Sequence, residues 1–100
     1  MFLAMNRFKV SLGKEEDFIS IWKNRESYLD GVPGFLSFNL LQGETNEDHT
    51  LFSSHAMWES RTAFVDWTQS ESFRNAHKNA GAAKHVYNGH PKLELFDAVI

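Results

Sequence analysis

Apolar residues in the first ten positions occupy both faces of an extended chain. Phe2, Ala4, Phe8 and Val10 fall on one side and Leu3 and Met5 on the other. Phe2 to Val10 therefore predicts a strand. Gly13 opens a stretch in which Phe18, Ile19, Ile21, Trp22 and Leu29 recur at helical spacing, and Asp30-Gly31-Val32-Pro33-Gly34 closes it. Phe35 to Leu41 reads as a second strand, with Phe35 and Leu41 on one face and Leu36, Phe38 and Leu40 on the other. The turn-rich Gly43-Glu44-Thr45-Asn46-Glu47-Asp48 makes a hairpin to a third strand, Thr50 to Trp58. Helices are predicted over Ser60 to Trp67 and Ser70 to Asn79, with Thr68 and Glu71 spaced as a capping box that restarts the helix after a break near Trp67. Lys92 to Val99 supplies a last strand. The order βαββαβ is the ferredoxin-like split unit of the α+β class.

This order places both helical segments on one face of an antiparallel sheet, and the second face, also apolar, has no cover. The chain has 100 residues, enough for one domain spanning 1–100 with a single core and no spare element to shield that face. A large exposed apolar patch marks an interface, and two sheets packed face to face across a two-fold axis would bury it. A homodimer is the expectation.

Charge and composition remove other classes. A net charge of −3 and a pI near 5.9 leave no basic stripe for phosphate neutralisation, so nucleic acid is not an expected partner. Without cysteine there is neither a disulfide framework nor a thiolate metal site. The apolar opening Met1 to Met5 meets Asn6 and Arg7 at once, too short for a secretion signal or a membrane span. A cytoplasmic protein with no membrane partner is expected.

Three residues stand out against this background. Asn6 shares a strand face with Phe2, Ala4, Phe8 and Val10, where an unpaired amide would cost roughly 1–3 kcal/mol. A bulge, a backbone hydrogen bond or a ligand would each account for it. Trp67 could serve as core, anchored by Phe64 three residues earlier. His77 could lie on a solvated helix face beside Lys78, but Phe73 four residues before it puts a ring and an imidazole on one helical side. Of the other histidines, His49 falls near the hairpin turn, His55 in a strand, and His85 and His90 in the segment before the last strand. None has a recognised metal spacing.

With their neighbours, Met5-Asn6-Arg7-Phe8 and Val65-Asp66-Trp67-x5-Phe73-x3-His77-Lys78, these three positions resemble the IsdG-type heme-degrading monooxygenases of the antibiotic biosynthesis monooxygenase superfamily. Met57-Trp58-Glu59-Ser60 and Ala63-Phe64 fit the broader superfamily pattern. The resemblance implies a dimeric α+β barrel with one active site per subunit between sheet and helices. It also implies heme as both substrate and cofactor, consumed with O2 and electrons from a reductase or a small reductant to yield a bilin-type product and free iron. His77 would be the proximal iron ligand, Asn6 a hydrogen-bond donor on the opposite side, and Trp67 a wedge that distorts the porphyrin. Phe8, Trp22, Phe64 and Phe73 would be apolar walls. Two other readings share the fold: a cofactor-independent monooxygenase acting on a quinol or polyketide, and a protein that binds heme without degrading it.

Overall fold

The computed structural model describes residues 1–24, 29, 31–71, 73–74 and 86–100. Its elements run β1 (Phe2–Ser11), α1 (Glu15–Asn24), β2 (Phe35–Thr45), β3 (His49–Trp58), α2 (Arg61–Thr68) and β4 (Lys92–Asp97). The four strands form one antiparallel sheet in the order β2-β3-β1-β4. This is the expected ferredoxin-like arrangement, with both helices packed on one face.

The register of the central pair decides where the interior is full and where it is not. On the helix-facing side Phe2 opposes Trp58, Ala4 opposes Ala56, Asn6 opposes Ser54 and Phe8 opposes Phe52. Each strand thus reads large, small, small, large, and antiparallel pairing superposes the two patterns. Side chains directly opposite one another lie about 4.5–5.5 Å apart at Cβ, so the large rows build two separate clusters and the small rows leave a depression between them. One cluster gathers Phe8, Val10, Phe18, Phe52 and Val86, and the other Phe2, Ala4, Leu29, Trp58 and Phe64.

Two sequence expectations need correction. A bulge between Phe35 and Ser37 adds one residue to β2, so Phe35 pairs with Trp58 on the same face as Phe38 rather than opposite to it. The helix after Trp67 is capped by Ser70, not by the Thr68 and Glu71 pair. Ser70 Oγ accepts from the Phe73 N–H at 3.1 Å and donates to the Trp67 carbonyl at 2.6 Å, while Thr68 Oγ1 donates to the Val65 carbonyl. One serine therefore closes α2 and starts the next helical turn, and most of the Ser70 to Asn79 helix lies outside the described residues. α2 itself begins as expected, with Ser60 Oγ accepting from the Ala63 N–H.

Gly34 sets the approach of α2 to the sheet. Its φ of +82° lies in the left-handed region, and any Cβ there would run into Ala63. The Gly34 carbonyl accepts from the Glu59 N–H at 2.7 Å, drawing the loop against the start of α2. At the other end, buried Thr50 donates from Oγ1 to Glu15 Oε2 at 2.7 Å, joining β3 to the first turn of α1. That hydroxyl is the main reason the Glu15 carboxyl is held below its ordinary 4.5, with backbone hydrogen bonds adding to the shift. A carboxyl with a lowered folded-state pKa stabilises the fold fully above its unfolded value and progressively less as pH falls through the lowered one. Glu15→Gln should therefore flatten the acid limb of the melting temperature against pH below about 4.5; identical acid limbs in the two proteins would contradict the link.

The other sheet face carries Leu3, Met5, Leu41, Leu51, Met57 and Phe96, with Leu41 and Phe96 exposed. The same face also carries Arg7, Lys9, Ser53, His55 and Glu94, with Arg7 and Glu94 paired at 3.6 Å, so it is apolar only in part, against the sequence expectation of a largely apolar second face. Among the described residues no helix is long and apolar enough to cross a membrane.

Candidate functional site

The depression left by the small rows becomes a hollow of about 270 Å³, open to solvent, between the sheet and the helices. Its floor is Ala4, Asn6, Ser54 and Ala56, with Leu93 beside Asn6 on β4. Trp22 and Leu29 wall it on the α1 side, Phe38 on the β2 side, and Phe64, Trp67, Thr68 and Phe73 on the α2 side. Trp58 closes the end next to Trp67. The lining is largely aromatic and apolar, the kind of cavity that holds a flat organic ligand and excludes water.

Trp67 is held in place from three directions. Its ring lies 5.4 Å from Trp58 and 6.3 Å from Phe64, and Phe73 meets it edge-on at 4.8 Å and 87°. The break at Ser70 lets Phe73 turn back onto the indole. Trp67 remains half-buried, with part of it facing the hollow. On the opposite wall Trp22 stacks on Phe38 at 5.6 Å and 20°. A planar guest would meet rings on both sides.

Polar groups in the hollow are few. Thr68 spends its hydroxyl on the Val65 carbonyl, and Trp58, fully buried, has an indole N–H with no hydrogen-bond partner among the described residues. Asn6 is half-buried on the floor, and among the described residues its amide makes no side-chain hydrogen bond. No bulge accounts for Asn6, since β1 runs in unbroken register with β3 through Asn6↔Ser54, and among the described residues no backbone group bonds its side chain.

Asn6, Trp22, Phe64, Trp67 and Phe73, singled out in the sequence, thus meet around one cavity. Phe8 does not join them. It is buried in the neighbouring cluster, where it packs on Phe18, Trp22 and Tyr87, and so supports the Trp22 wall from behind. His77 and His85 lie outside the described residues. His49 starts β3 and bonds Asp48 through Nδ1 at 2.9 Å, away from the hollow. Among the described residues no three His, Asp or Glu side chains gather as a metal site. The sequence reading missed Ser54, Leu29 and Leu93, which enter the lining only through strand register and loop packing.

The pattern of the antibiotic biosynthesis monooxygenase family matches residues 1–79. The chain belongs to that family. Within it, the chain is 31% identical over 78 residues to the staphylobilin-producing heme oxygenase 1 of Staphylococcus aureus strain Newman, covering 78% of this chain and 72% of that protein. This family member also superposes on the heme degrader MhuD of Mycobacterium tuberculosis, solved with two hemes in its active site, with a TM-score of 0.71 and 25% identity over 100% of this chain and 97% of that one. It matches SnoaB, a cofactor-independent oxygenase of Streptomyces nogalater, about as well in shape: TM-score 0.70 and 22% identity over 99% and 93% of the two chains. The family's shared fold is therefore compatible with two oxygen chemistries, and the site residues have to separate them.

Proposed function

We propose that this family member is a heme-degrading monooxygenase. The observation that carries the reading is the pairing, in one aromatic hollow, of the Asn6 amide, which makes no side-chain hydrogen bond among the described residues, with the cavity-facing ring of Trp67. Support among relatives comes from the 31% identity to the staphylobilin-producing enzyme. The described residues fit a porphyrin in that the walls are rings and aliphatic chains and the floor is flat and small-sided.

Bound heme would supply the iron that activates O2 and would itself be the molecule oxidised, to a bilin-type product with release of iron. The chain's own residues bind, orient and exclude water. Trp22, Phe38, Phe64 and Phe73 bury the macrocycle. Trp67, backed by Trp58 and Phe64, would press from the α2 side on a porphyrin held in the hollow and favour its distortion. Asn6 offers an N–H from the sheet side to an oxygen-containing ligand over the floor. His77 would ligate the iron as a neutral imidazole. Electrons come from a reductase or small reductant, and a second copy of the chain would cover the partly apolar outer face of the sheet.

The test is optical. Hemin added to the purified chain should give a saturable Soret band, and His77→Ala should weaken binding by tenfold or more, an iron–imidazole bond being worth at least the ~1.4 kcal/mol that tenfold represents. Ascorbate and oxygen, with catalase present, should then bleach the band and raise a bilin spectrum. A stable Soret band under those conditions would make the protein a heme carrier. Absence of specific hemin binding would favour the cofactor-independent chemistry, a reading that draws on the absence of Lys, Arg and His from the described lining.

A further inference from the structure

Directly across from Asn6 in the register lies Ser54, on the same face and in the same hollow. Ser54 is 7% exposed, and its hydroxyl has no hydrogen-bond partner among the described residues. Its neighbour Ser53 points to the opposite face and donates from Oγ to the Ser54 carbonyl at 3.3 Å, so the two serines are not in equivalent situations.

Small size alone does not call for serine at this position. The adjoining row of the floor is filled by Ala4 and Ala56, and alanine would leave the same space at position 54. Two polar groups with no protein hydrogen bond among the described residues, side by side on the floor of a mostly apolar hollow, form a hydrogen-bonding station that a ligand entering the hollow can complete. A serine hydroxyl can donate one hydrogen bond, and the amide of Asn6 two.

We propose that Ser54 is a second donor beside Asn6, so that the sheet floor holds a small ligand on the bound heme through two hydrogen bonds rather than one; this rests on the heme reading above. Ser54 is then a positioning residue that restricts where that ligand can tilt, and with it which edge of the macrocycle is attacked.

Azide binding to the hemin-loaded protein reads this directly and needs no turnover. In Ser54→Ala the azide dissociation constant should rise about tenfold, the measure of one ordinary hydrogen bond, while hemin affinity stays unchanged. The melting temperature of Ser54→Ala without hemin should stay close to that of the parent, because the substitution breaks no side-chain hydrogen bond among the described residues. Ser53→Ala, on the far face, should leave azide binding as it was. Equal azide affinity in Ser54→Ala and the parent would overturn the proposal and leave the heme reading standing. A lowered melting temperature together with weakened hemin binding would show a structural role instead, and overturn it too. Failure of the parent protein to bind hemin would overturn the heme reading and the proposal together.

Discussion

Asn6→Ala should bind hemin nearly as well as the parent yet open the ring about 10²–10³ times more slowly, the usual loss when one preorganised donor is removed from a reacting centre. The separation of binding from rate follows from where Asn6 sits. The walls that bury a porphyrin are Trp22, Phe38, Phe64, Trp67 and Phe73, and none depends on the amide. Among the described residues the amide makes no side-chain hydrogen bond, so its removal breaks none there, and the melting temperature should hold. Single-turnover decay of the Soret band under ascorbate and oxygen measures the rate, and hemin titration measures the affinity. A variant that lost binding and rate in equal proportion would show that Asn6 shapes the cavity rather than orienting what reacts in it.

The largest loss of stability should follow Trp58→Ala. Trp58 is fully buried, lies edge-on to Phe35 and Phe64 at 5.5 and 5.8 Å, and backs Trp67 at 5.4 Å. Large-to-small changes at such a site cost about 3–5 kcal/mol because the cavity collapses only in part. For a domain of this length each kcal/mol lowers the melting temperature by roughly 4–8 °C, so a fall of at least roughly 12 °C is expected by calorimetry. Trp58→Phe should cost much less, since the indole N–H it deletes has no hydrogen-bond partner among the described residues. Hemin affinity should drop in Trp58→Ala even below its new melting temperature, because Trp67 loses the ring behind it. A shift of only a few degrees would mean that Phe35 and Phe64 repack to fill the gap.

Several features of the fold were legible in the residues. Period-two runs bounded by glycine, proline and asparagine marked the strands, and the spacing of Phe18, Ile19 and Trp22 marked α1. Ser60 announced the start of α2. Errors arose where one residue changes the geometry. The extra residue in β2 turned Phe35 to the helix side, which no alternation rule reveals without the partner strand. The choice between Thr68 and Ser70 as cap turned on where the backbone bends, and Ser70 won because its hydroxyl reaches both the Trp67 carbonyl and the Phe73 N–H. Phe8 looked like a cavity wall because it shares a face with Asn6. Pairing with Phe52 and packing against Phe18 enclose it in the core instead.

By itself the sequence determined the element order and the oddity of Asn6 on an apolar strand face, because these depend on local periodicity and on a residue out of keeping with its surroundings, while Trp67 and His77 were marked by the family resemblance of their neighbours. The large-small-small-large pattern is present in β1 as Phe2, Ala4, Asn6 and Phe8, and in β3 as Trp58, Ala56, Ser54 and Phe52. Neither strand alone makes a cavity, since a small residue opposite a large one is simply filled. Only antiparallel pairing in this register sets small against small. The tertiary structure thereby decided that a hollow exists, that Trp22 and Trp67 from distant parts of the chain face it, and that Ser54 stands beside Asn6 on its floor.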